Sequence, residues 1–443
     1  MKRIGQKKHV ALSLFAVIIL LFTVVLAFSS CGKEEIIRSK EEIVASMTAE
    51  DDKSKSYVTS YLDDWGLPGF MKSKMKGIEL IYRDYYVEDI PDAYTLATGT
   101  VQLFIEYFYD DIDLTSDNAV TDGLIACYVE MIGDPYSFYR TAEEYEDYDT
   151  DMSGKFAGIG VTVQYSYLDE TMTVTSVTIG LGAEEAGILP GDLIVKANGV
   201  SVKELGYQKT ISTIRGEIGT SVEVTVERDG TELTFNIIRK EIVEETVTYS
   251  IDENKIGYIV ITDFKDITYS QFKKAIDFMV DEGAKGIIYD LRGNPGGYLV
   301  SVVDALSYIA PKGTNIVSFT NGYADPIKSN HPHTVSLPTV VLCNQYTASA
   351  GELFTAAMRD WGEAGLFDVT IVGTKTYGKG VMQNSYTFTD GSAITLTVAY
   401  YNPPSGKNYD GIGIRPHDEV EIGENGDAQL DAAKAKIAEM INN

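Results

Sequence analysis

The chain has 443 residues, of which 44% are apolar and 23% charged, so its composition is that of a globular protein and not of a disordered one. This length predicts two or three domains, each large enough to bury a core. The net charge of −28 at pH 7 argues against a nucleic-acid-binding protein, because the phosphate backbone is bound through basic patches.

The N-terminus has the pattern of a targeting segment. Residues 1–8 are basic, and residues 10–28 form an apolar run that ends in Ser-Ser-Cys. This end resembles the cleavage site of a bacterial lipoprotein signal, in which Cys31 would be lipidated. Phe28 stands where leucine is usual, so a retained signal anchor is the alternative, since the run is long enough to span a bilayer. Both interpretations of residues 1–31 place the remaining chain outside the cytoplasm and attached to a membrane.

Four further segments follow in chain order. Residues 32–70 are acidic and polar, which predicts a tether. Residues 71–150 have apolar residues three and four positions apart, which predicts a helical region and a candidate dimerisation element. Residues 153–241 show short alternating strands between glycine turns, which predicts a mostly-β domain. Residues 245–425 alternate strand and helix, which predicts an α/β layer with sites at strand ends, and residues 426–443 predict a closing helix.

Ser349 lies between an apolar strand pattern and a helix pattern. The first N–H groups of a helix have no intrahelical partner and could hold an oxyanion, with Ala350 N–H the nearest candidate. The alternative is that Ser349 caps the helix, with Glu352 completing a capping box, and on this stretch alone the capping interpretation is favoured. Thr347 stands where the α/β-hydrolase nucleophile motif requires glycine, so that motif is not met.

Lys379 is a candidate base for this serine. It lies between two glycines beside an apolar strand, and burial would disfavour the charged form of its amine. A neutral lysine can accept the proton of a serine. Gln383, four positions on, shares the strand face and could orient the amine. The alternative is an exposed lysine in a glycine turn, which is the usual position of lysine.

The segment 293–297, Gly-Asn-Pro-Gly-Gly, exposes backbone N–H groups where a predicted strand ends. Gly296 and Gly297 could therefore supply a second oxyanion donor. The alternative is an ordinary strand–helix turn.

Together and in this order, these segments resemble the carboxyl-terminal processing peptidases, a family of tail-specific serine proteases. The resemblance covers roughly residues 75–420 and rests on the Asn-Pro-Gly-Gly strand end, the serine with glutamate three residues later, and Tyr-Gly-Lys-Gly-x-x-Gln. It implies an α+β and α/β multidomain fold, with an N-terminal helical region, an inserted PDZ domain and an α/β (crotonase-like) serine protease core. It implies no cofactor and no metal. The site residues that it implies are Ser349 as nucleophile, Lys379 as general base, Gln383 as orienting partner, and Gly296, Gly297 and Ala350 as oxyanion donors.

Residues 156–163 resemble the carboxylate-binding loop of a PDZ domain. The N–H groups of Gly158, Ile159 and Gly160 can converge on a terminal carboxylate, and the adjoining strand can pair with the incoming peptide. The alternative, a glycine turn in a structural domain, is weakened by the PDZ-like sequence downstream. The expected partners are proteins or peptides with free C-termini.

The sequence thus predicts an extracytoplasmic serine endopeptidase that recognises protein tails. A non-catalytic lipoprotein that binds C-terminal peptides is the second hypothesis, and a hydrolase of small esters, which would need no PDZ domain, is the third. His331 and His333 could suggest a metal site, but no third ligand is evident. They also precede Ser349 by only 18 and 16 residues, so a histidine-based catalytic site is the nearest rival to the lysine-based one. Cys127 and Cys343 lie in apolar runs and are expected to be buried free thiols.

Overall fold

The structure, a computed structural model, describes residues 74–79, 91, 93–107, 117–320, 324–332, 335–423 and 426–442. The predicted targeting segment with Cys31 and the predicted tether lie outside the described residues. Across the ranges that are described, no helix is long and apolar enough to cross a membrane.

The N-terminal part of the described chain is mainly helical, including residues 74–79, and strands and helices follow it. The helices are α1 Ala93–Tyr107, α2 Asp117–Glu130, α3 Ala142–Ser153, α4 Gly182–Ala186, α5 Val202–Ile214, α6 Thr268–Asp281, α7 Leu299–Ile309, α8 Ala350–Glu363 and α9 Ala428–Asn442. The strands are β1 Phe138–Arg140, β2 Lys155–Gly158, β3 Val161–Ser166, β4 Thr171–Val177, β5 Leu193–Ala197, β6 Val200–Ser201, β7 Ser221–Arg228, β8 Thr231–Ile238, β9 Lys240–Val243, β10 Val247–Ile251, β11 Ile256–Ile261, β12 Gly286–Asp290, β13 Asn315–Phe319, β14 Ile327–Lys328, β15 Thr339–Cys343, β16 Val369–Gly373, β17 Val381–Thr387, β18 Ala393–Asn402 and β19 Asp418–Glu419.

One compact unit comprises the described residues up to Glu146 together with 319–325 and 381–401. Strand β18 pairs antiparallel with β1 and with β17. Ile394, Leu396 and Val398 alternate along β18, so they share one face, and they pack into a core with residues of α1 and α2. The sequence predicts β17 and β18 in the α/β layer. The structure groups them with the N-terminal helices, because those helices cover the apolar face of β18.

The second unit comprises residues 147–318, 326–380 and 402–443. Its six-stranded sheet has the order β10-β11-β12-β15-β16-β19, with β10 antiparallel to β11 and the other neighbours parallel. Strands β12 and β15 are buried along their whole length. Helices cover both faces of such a sheet, which is why these strands are continuous apolar runs. The predicted mixed multidomain fold is confirmed.

Side chains of β12 alternate between the two helical layers of this sheet. Ile288 packs against Ile437 of α9 on one face. Tyr289 points to the other face, where its ring centroid lies 5.3 Å from that of Phe354 in α8 and 6.0 Å from that of Phe272 in α6. The sheet is therefore the middle layer of a three-layer arrangement.

The parallel strands also determine where the candidate site forms. The loop after β12 carries Gly296, the loop after β15 carries Ser349, and the loop after β16 carries Lys379. Because β12, β15 and β16 are parallel, their carboxyl ends lie at one edge of the sheet. The topology thus brings together three segments that are far apart in the sequence.

A second sheet in this unit has the order β3-β4-β5-β7-β8 and surrounds its own core, which includes Met172, Val174, Val224 and Val226. Strand β2 pairs antiparallel with β9, from Lys155 opposite Val243 onward. We call this two-stranded ribbon of β2 and β9 the neck, because it joins the small domain to the preceding and following chain. Strand β3 lies at one end of the strand order, so its outer edge can pair with a further strand.

Candidate active site

Ser349 occupies an unusual backbone conformation directly before α8. Its φ of 53° and ψ of −117° lie in a region that residues other than glycine rarely adopt, at a cost of roughly 1–3 kcal/mol. Such strain persists only where the surroundings impose it. Within the predicted capping box, Ser349 N–H donates to Glu352 Oε2 at 3.0 Å.

The Glu352 carboxylate is fully buried and accepts four hydrogen bonds. Oε2 accepts from the backbone N–H groups of Ser349 (3.0 Å) and Lys379 (2.7 Å). Oε1 accepts from Gly378 N–H (2.7 Å) and from the Thr376 hydroxyl (2.5 Å). Burial raises the pKa of Glu352, and the four donors oppose that rise. Because one oxygen receives both N–H groups, the backbones of Ser349 and Lys379 lie side by side.

The two glycines beside Lys379 permit close approach of another backbone segment. A Cβ on Gly378, whose φ is +100°, would lie 2.9 Å from Gly413 N. A Cβ on Gly380 would lie 2.6 Å from Asn408 Oδ1, and Asn408 Nδ2 donates to Gly380 O at 3.0 Å. Only glycine fits at these two positions, so the residues on both sides of Lys379 are held against the segment 408–413.

The loop after β12 passes directly over the serine. A Cβ on Gly296 would lie 2.6 Å from Ser349 Cβ and 3.0 Å from Ala350 N. Asn294, which is fully buried, holds this loop in place. Its backbone oxygen accepts from Ala348 N–H at 2.8 Å, and its Nδ2 donates to a carbonyl of β11 at 2.9 Å. The loop and the serine are therefore held against each other by backbone contacts.

The structure corrects one of the predicted oxyanion donors. Gly296 N–H donates to Asn294 Oδ1 at 2.8 Å, so this N–H group already has an acceptor. The role of Gly296 is instead to let its loop approach Ser349 closely. Among the described residues, no acceptor is bonded to the N–H groups of Gly297 or Ala350. Ala350 N–H is also one of the groups that a helix start leaves without an intrahelical partner. Gly297 and Ala350 thus remain as the candidate pair.

Comparison with known proteins matches residues 255–420 to peptidase family S41 and residues 157–238 to the PDZ domain. The carboxy-terminal processing protease CtpA of Bacillus subtilis is 37% identical over 311 residues, which are 70% of this chain and 65%, less than two thirds, of that protein. A probable CtpA-like serine protease of Staphylococcus saprophyticus is 30% identical over 371 residues, which are 82% of this chain and 70% of that protein. The chain belongs to peptidase family S41. Among solved structures, a photosystem II D1 C-terminal processing protease aligns with a TM-score of 0.48 and 21% identity, covering 84% of this chain and 99% of that one. The predicted family and its PDZ domain are confirmed.

In the PDZ domain of this S41 chain, the segment predicted to bind a carboxylate joins β2 to β3. Ile159 O accepts from Ala183 N–H and Gly160 O accepts from Thr178 N–H, both at 2.8 Å. Within the described part of the chain, the N–H groups of Ile159 and Gly160 have no bonded acceptor, whereas Gly158 lies in β2 and pairs with β9. Two buried amides directly before the edge strand β3 are groups that a terminal carboxylate could satisfy.

Gln383 lies in the first unit, whereas Ser349 and Lys379 lie in the second. In β17, next to a register shift, Gln383 Nε2 donates to Thr397 Oγ1 of β18 at 3.1 Å. Its role as the orienting partner of Lys379 stays a prediction.

The histidine-based alternative receives no support from His331, the one of its two histidines that the structure describes. The ring of His331 lies 4.6 Å from that of Tyr308, and His333 lies outside the described residues. No group of three or more His, Cys, Asp or Glu side chains in the described ranges could hold a metal ion. Cys127 and Cys343 are buried free thiols, as predicted, and burial raises the pKa of each to about 12.

The side chains that hold the site together through hydrogen bonds are not among the residues predicted from the sequence. Glu352 was interpreted only as a helix cap, and its contacts with the Lys379 loop were not foreseen. For Asn408 and Asp410 the available signal was the Asn-Tyr-Asp-Gly-Ile-Gly run at 408–413, which holds two polar side chains close to two glycines. The residues missed in this way are Asn294, Thr376, Asn408 and Asp410.

Proposed function

We propose that this chain is a membrane-tethered, extracytoplasmic serine endopeptidase that binds a free protein C-terminus through its PDZ domain and cleaves with Ser349 and Lys379. The observation that carries the proposal is the shared acceptor, since Glu352 Oε2 receives the backbone N–H groups of both residues. Membership of an S41 protease family supports the reaction class. The location rests on the N-terminal targeting pattern.

In this mechanism Ser349 Oγ attacks the peptide carbonyl carbon while neutral Lys379 Nζ accepts the hydroxyl proton. The N–H groups of Gly297 and Ala350 donate to the oxyanion that forms. Lys379 then passes the proton to the leaving amine as the C–N bond breaks. Water, losing a proton to Lys379, attacks the acyl ester and releases the second product, and that proton returns to Ser349 Oγ.

Two exposed tyrosines support a peptide as the substrate. Tyr346 precedes the serine by three residues, and Tyr377 precedes Lys379 by two; their exposed fractions are 64% and 61%. Tyr377 N–H donates to Thr347 O at 3.0 Å, which ties the two loops together. Exposed apolar side chains beside a nucleophile offer contacts to the side chains of an unfolded substrate.

The test uses the full-length chain purified in detergent and an unfolded protein with a free apolar C-terminus. Ser349→Ala and Lys379→Ala are each expected to lower kcat by about a thousandfold or more while the protein stays folded. Lys375→Ala is the matched control, because Lys375 is an exposed lysine of the same loop.

Three outcomes separate the hypotheses. Loss of activity in both site variants but not in the control supports the proposal. A wild type that binds the tail without cutting it would favour the binding lipoprotein. Cleavage of a small ester by a wild type that neither binds nor cuts the tail would favour the esterase.

A further inference from the structure

Lys265 is a lysine that the protein has buried. It is 6% exposed, whereas lysine is almost never fully buried unless it is paired. Its ammonium donates to Glu244 Oε2 at 2.8 Å and lies 3.2 Å from Asp151 Oδ2. Burial alone would lower the pKa of Lys265, but the two carboxylates raise it, so the side chain stays charged.

The two carboxylates belong to the two ends of the PDZ segment. Asp151 lies near the end of α3, directly before the neck, and Glu244 directly follows the neck strand β9. Glu244 N–H also donates to Gly154 O at 2.9 Å, which holds the two ends against each other. One ammonium group therefore binds both segments through which the PDZ domain joins the protease core.

The backbone beside Lys265 carries the loop that lies over the serine. Phe264 N–H donates to Gly296 O, and Tyr298 N–H donates to Phe264 O, each at 2.7 Å. Lys265 O accepts from Ser301 Oγ at 2.8 Å, which fixes the lysine backbone to the start of α7. A shift of residues 264–265, which follow β11, would therefore shift the loop that contains Gly296 and Gly297.

We propose that Lys265 is a positioning residue. Through Phe264 it fixes the position of the loop 294–297 relative to Ser349. Through Asp151 and Glu244 it couples the position of that loop to the PDZ neck. This rests on the proposed function. Binding of a protein tail to the PDZ domain then changes the loop, and with it kcat, through these two ion pairs. Because a displacement of about 1 Å can cost a hundredfold in rate, a small movement of the neck is enough.

The kinetic test compares Lys265→Met with Lys255→Met in the full-length chain. Lys255 forms an exposed ion pair with Glu282 at 3.2 Å just before β11, so it is a matched control. We expect Lys265→Met to lower kcat about tenfold while KM and the Kd of a tail peptide for the PDZ domain change less than twofold. Lys265→Arg should restore most of kcat, because arginine can bridge both carboxylates.

Variants of the two carboxylates that bind Lys265 keep the test valid if Lys265→Met fails to fold. Asp151→Asn and Glu244→Gln each remove one carboxylate from a partly exposed position, and each should lower kcat by a smaller factor than the double variant. An unchanged kcat in the double variant, or a change confined to KM, would overturn the proposal.

A second readout does not depend on catalysis. Hydrogen exchange of the segment 294–301 should slow when an uncleavable tail peptide binds the wild type, and this effect should disappear in Lys265→Met but not in Lys255→Met. If the chain proves to have no protease activity, this measurement still decides whether Lys265 couples the neck to the loop. A tail effect that persists in Lys265→Met would refute the coupling.

Discussion

Glu352→Gln tests the central contact of the site, because it turns one oxygen of the buried carboxylate into an amide that cannot accept. The better orientation places the amide nitrogen at the Oε1 position, since the Thr376 hydroxyl there can rotate and accept, whereas Gly378 N–H cannot. The remaining oxygen still accepts from Ser349 and Lys379. One buried backbone donor, Gly378 N–H, is left without an acceptor, which costs about 1–3 kcal/mol.

We therefore expect Glu352→Gln to lower the free energy of unfolding of the core by about 1–3 kcal/mol, with kcat reduced less than tenfold. Glu352→Ala leaves three backbone donors without their acceptor, one buried (Gly378) and two partly buried (Ser349 and Lys379); at up to about 3 kcal/mol each, the cost approaches the whole stability of a domain. Urea unfolding followed by the fluorescence of Trp361, which is buried in α8, measures this in a Trp65→Phe background.

Glu363→Gln is the control, because Glu363 lies at the end of the same helix with its side chain 62% exposed. Its weak surface ion pair should change stability by less than about 1 kcal/mol. A Glu352→Gln variant that unfolds at the wild-type urea concentration would show that these hydrogen bonds do not hold the two segments together. A folded variant as inactive as Lys379→Ala would show that the charge is needed and that bridging geometry alone is insufficient.

Three further predictions address the loop, the serine and the PDZ domain. Gly296→Ala would place a Cβ 2.6 Å from Ser349 Cβ and should lower kcat by about a hundredfold in steady-state cleavage; wild-type kcat would contradict the contact. Ser349→Gly should be more stable to urea than Ser349→Ala by about 1–2 kcal/mol, because glycine accepts φ 53°, and equal stability would exclude strain. Arg228 donates to both oxygens of Asp192 at 2.7 Å and lowers the pKa of that carboxyl, so this stabilisation is complete above the unfolded pKa and is lost as pH falls through the lower folded value. Thermal unfolding of the PDZ domain should lose this acid-range dependence in Asp192→Asn, and an unchanged pH profile would contradict the assignment.

The parts of the site that could be predicted are those whose pattern is local. A strand followed by glycines, and a serine before a helix with glutamate three residues on, are visible in a few consecutive residues. The second role of Glu352 is not visible in this way, because its carboxylate oxygens accept hydrogen bonds from N–H groups that lie 26 and 27 residues further along the chain. The engagement of Gly296 N–H by Asn294 was likewise invisible, since sequence shows that an N–H group exists but not what it binds.

The placement of β17 and β18 illustrates a different limit. Alternating apolar residues in β18 correctly predict a strand with one buried face. They do not show which layer covers that face, and helices from the opposite end of the chain supply the cover. The α/β layer itself was predictable, because strands buried on both faces read as continuous apolar runs with helices between them.

The role of Glu352 differs from that of the aspartate in a Ser-His-Asp triad. That aspartate binds the side chain of the base and fixes its orientation. Glu352 binds the backbones of Lys379 and Ser349, the proposed base and nucleophile, which aligns two loops but does not by itself fix the side-chain torsions of Lys379. Ordering a lysine side chain costs up to about 2 kcal/mol of rotamer entropy. The two tasks are therefore separable. A carboxylate that sets the backbones should affect stability and kcat together, whereas a group that orients the amine, the role predicted for Gln383, should affect kcat with little change in the unfolding of α8.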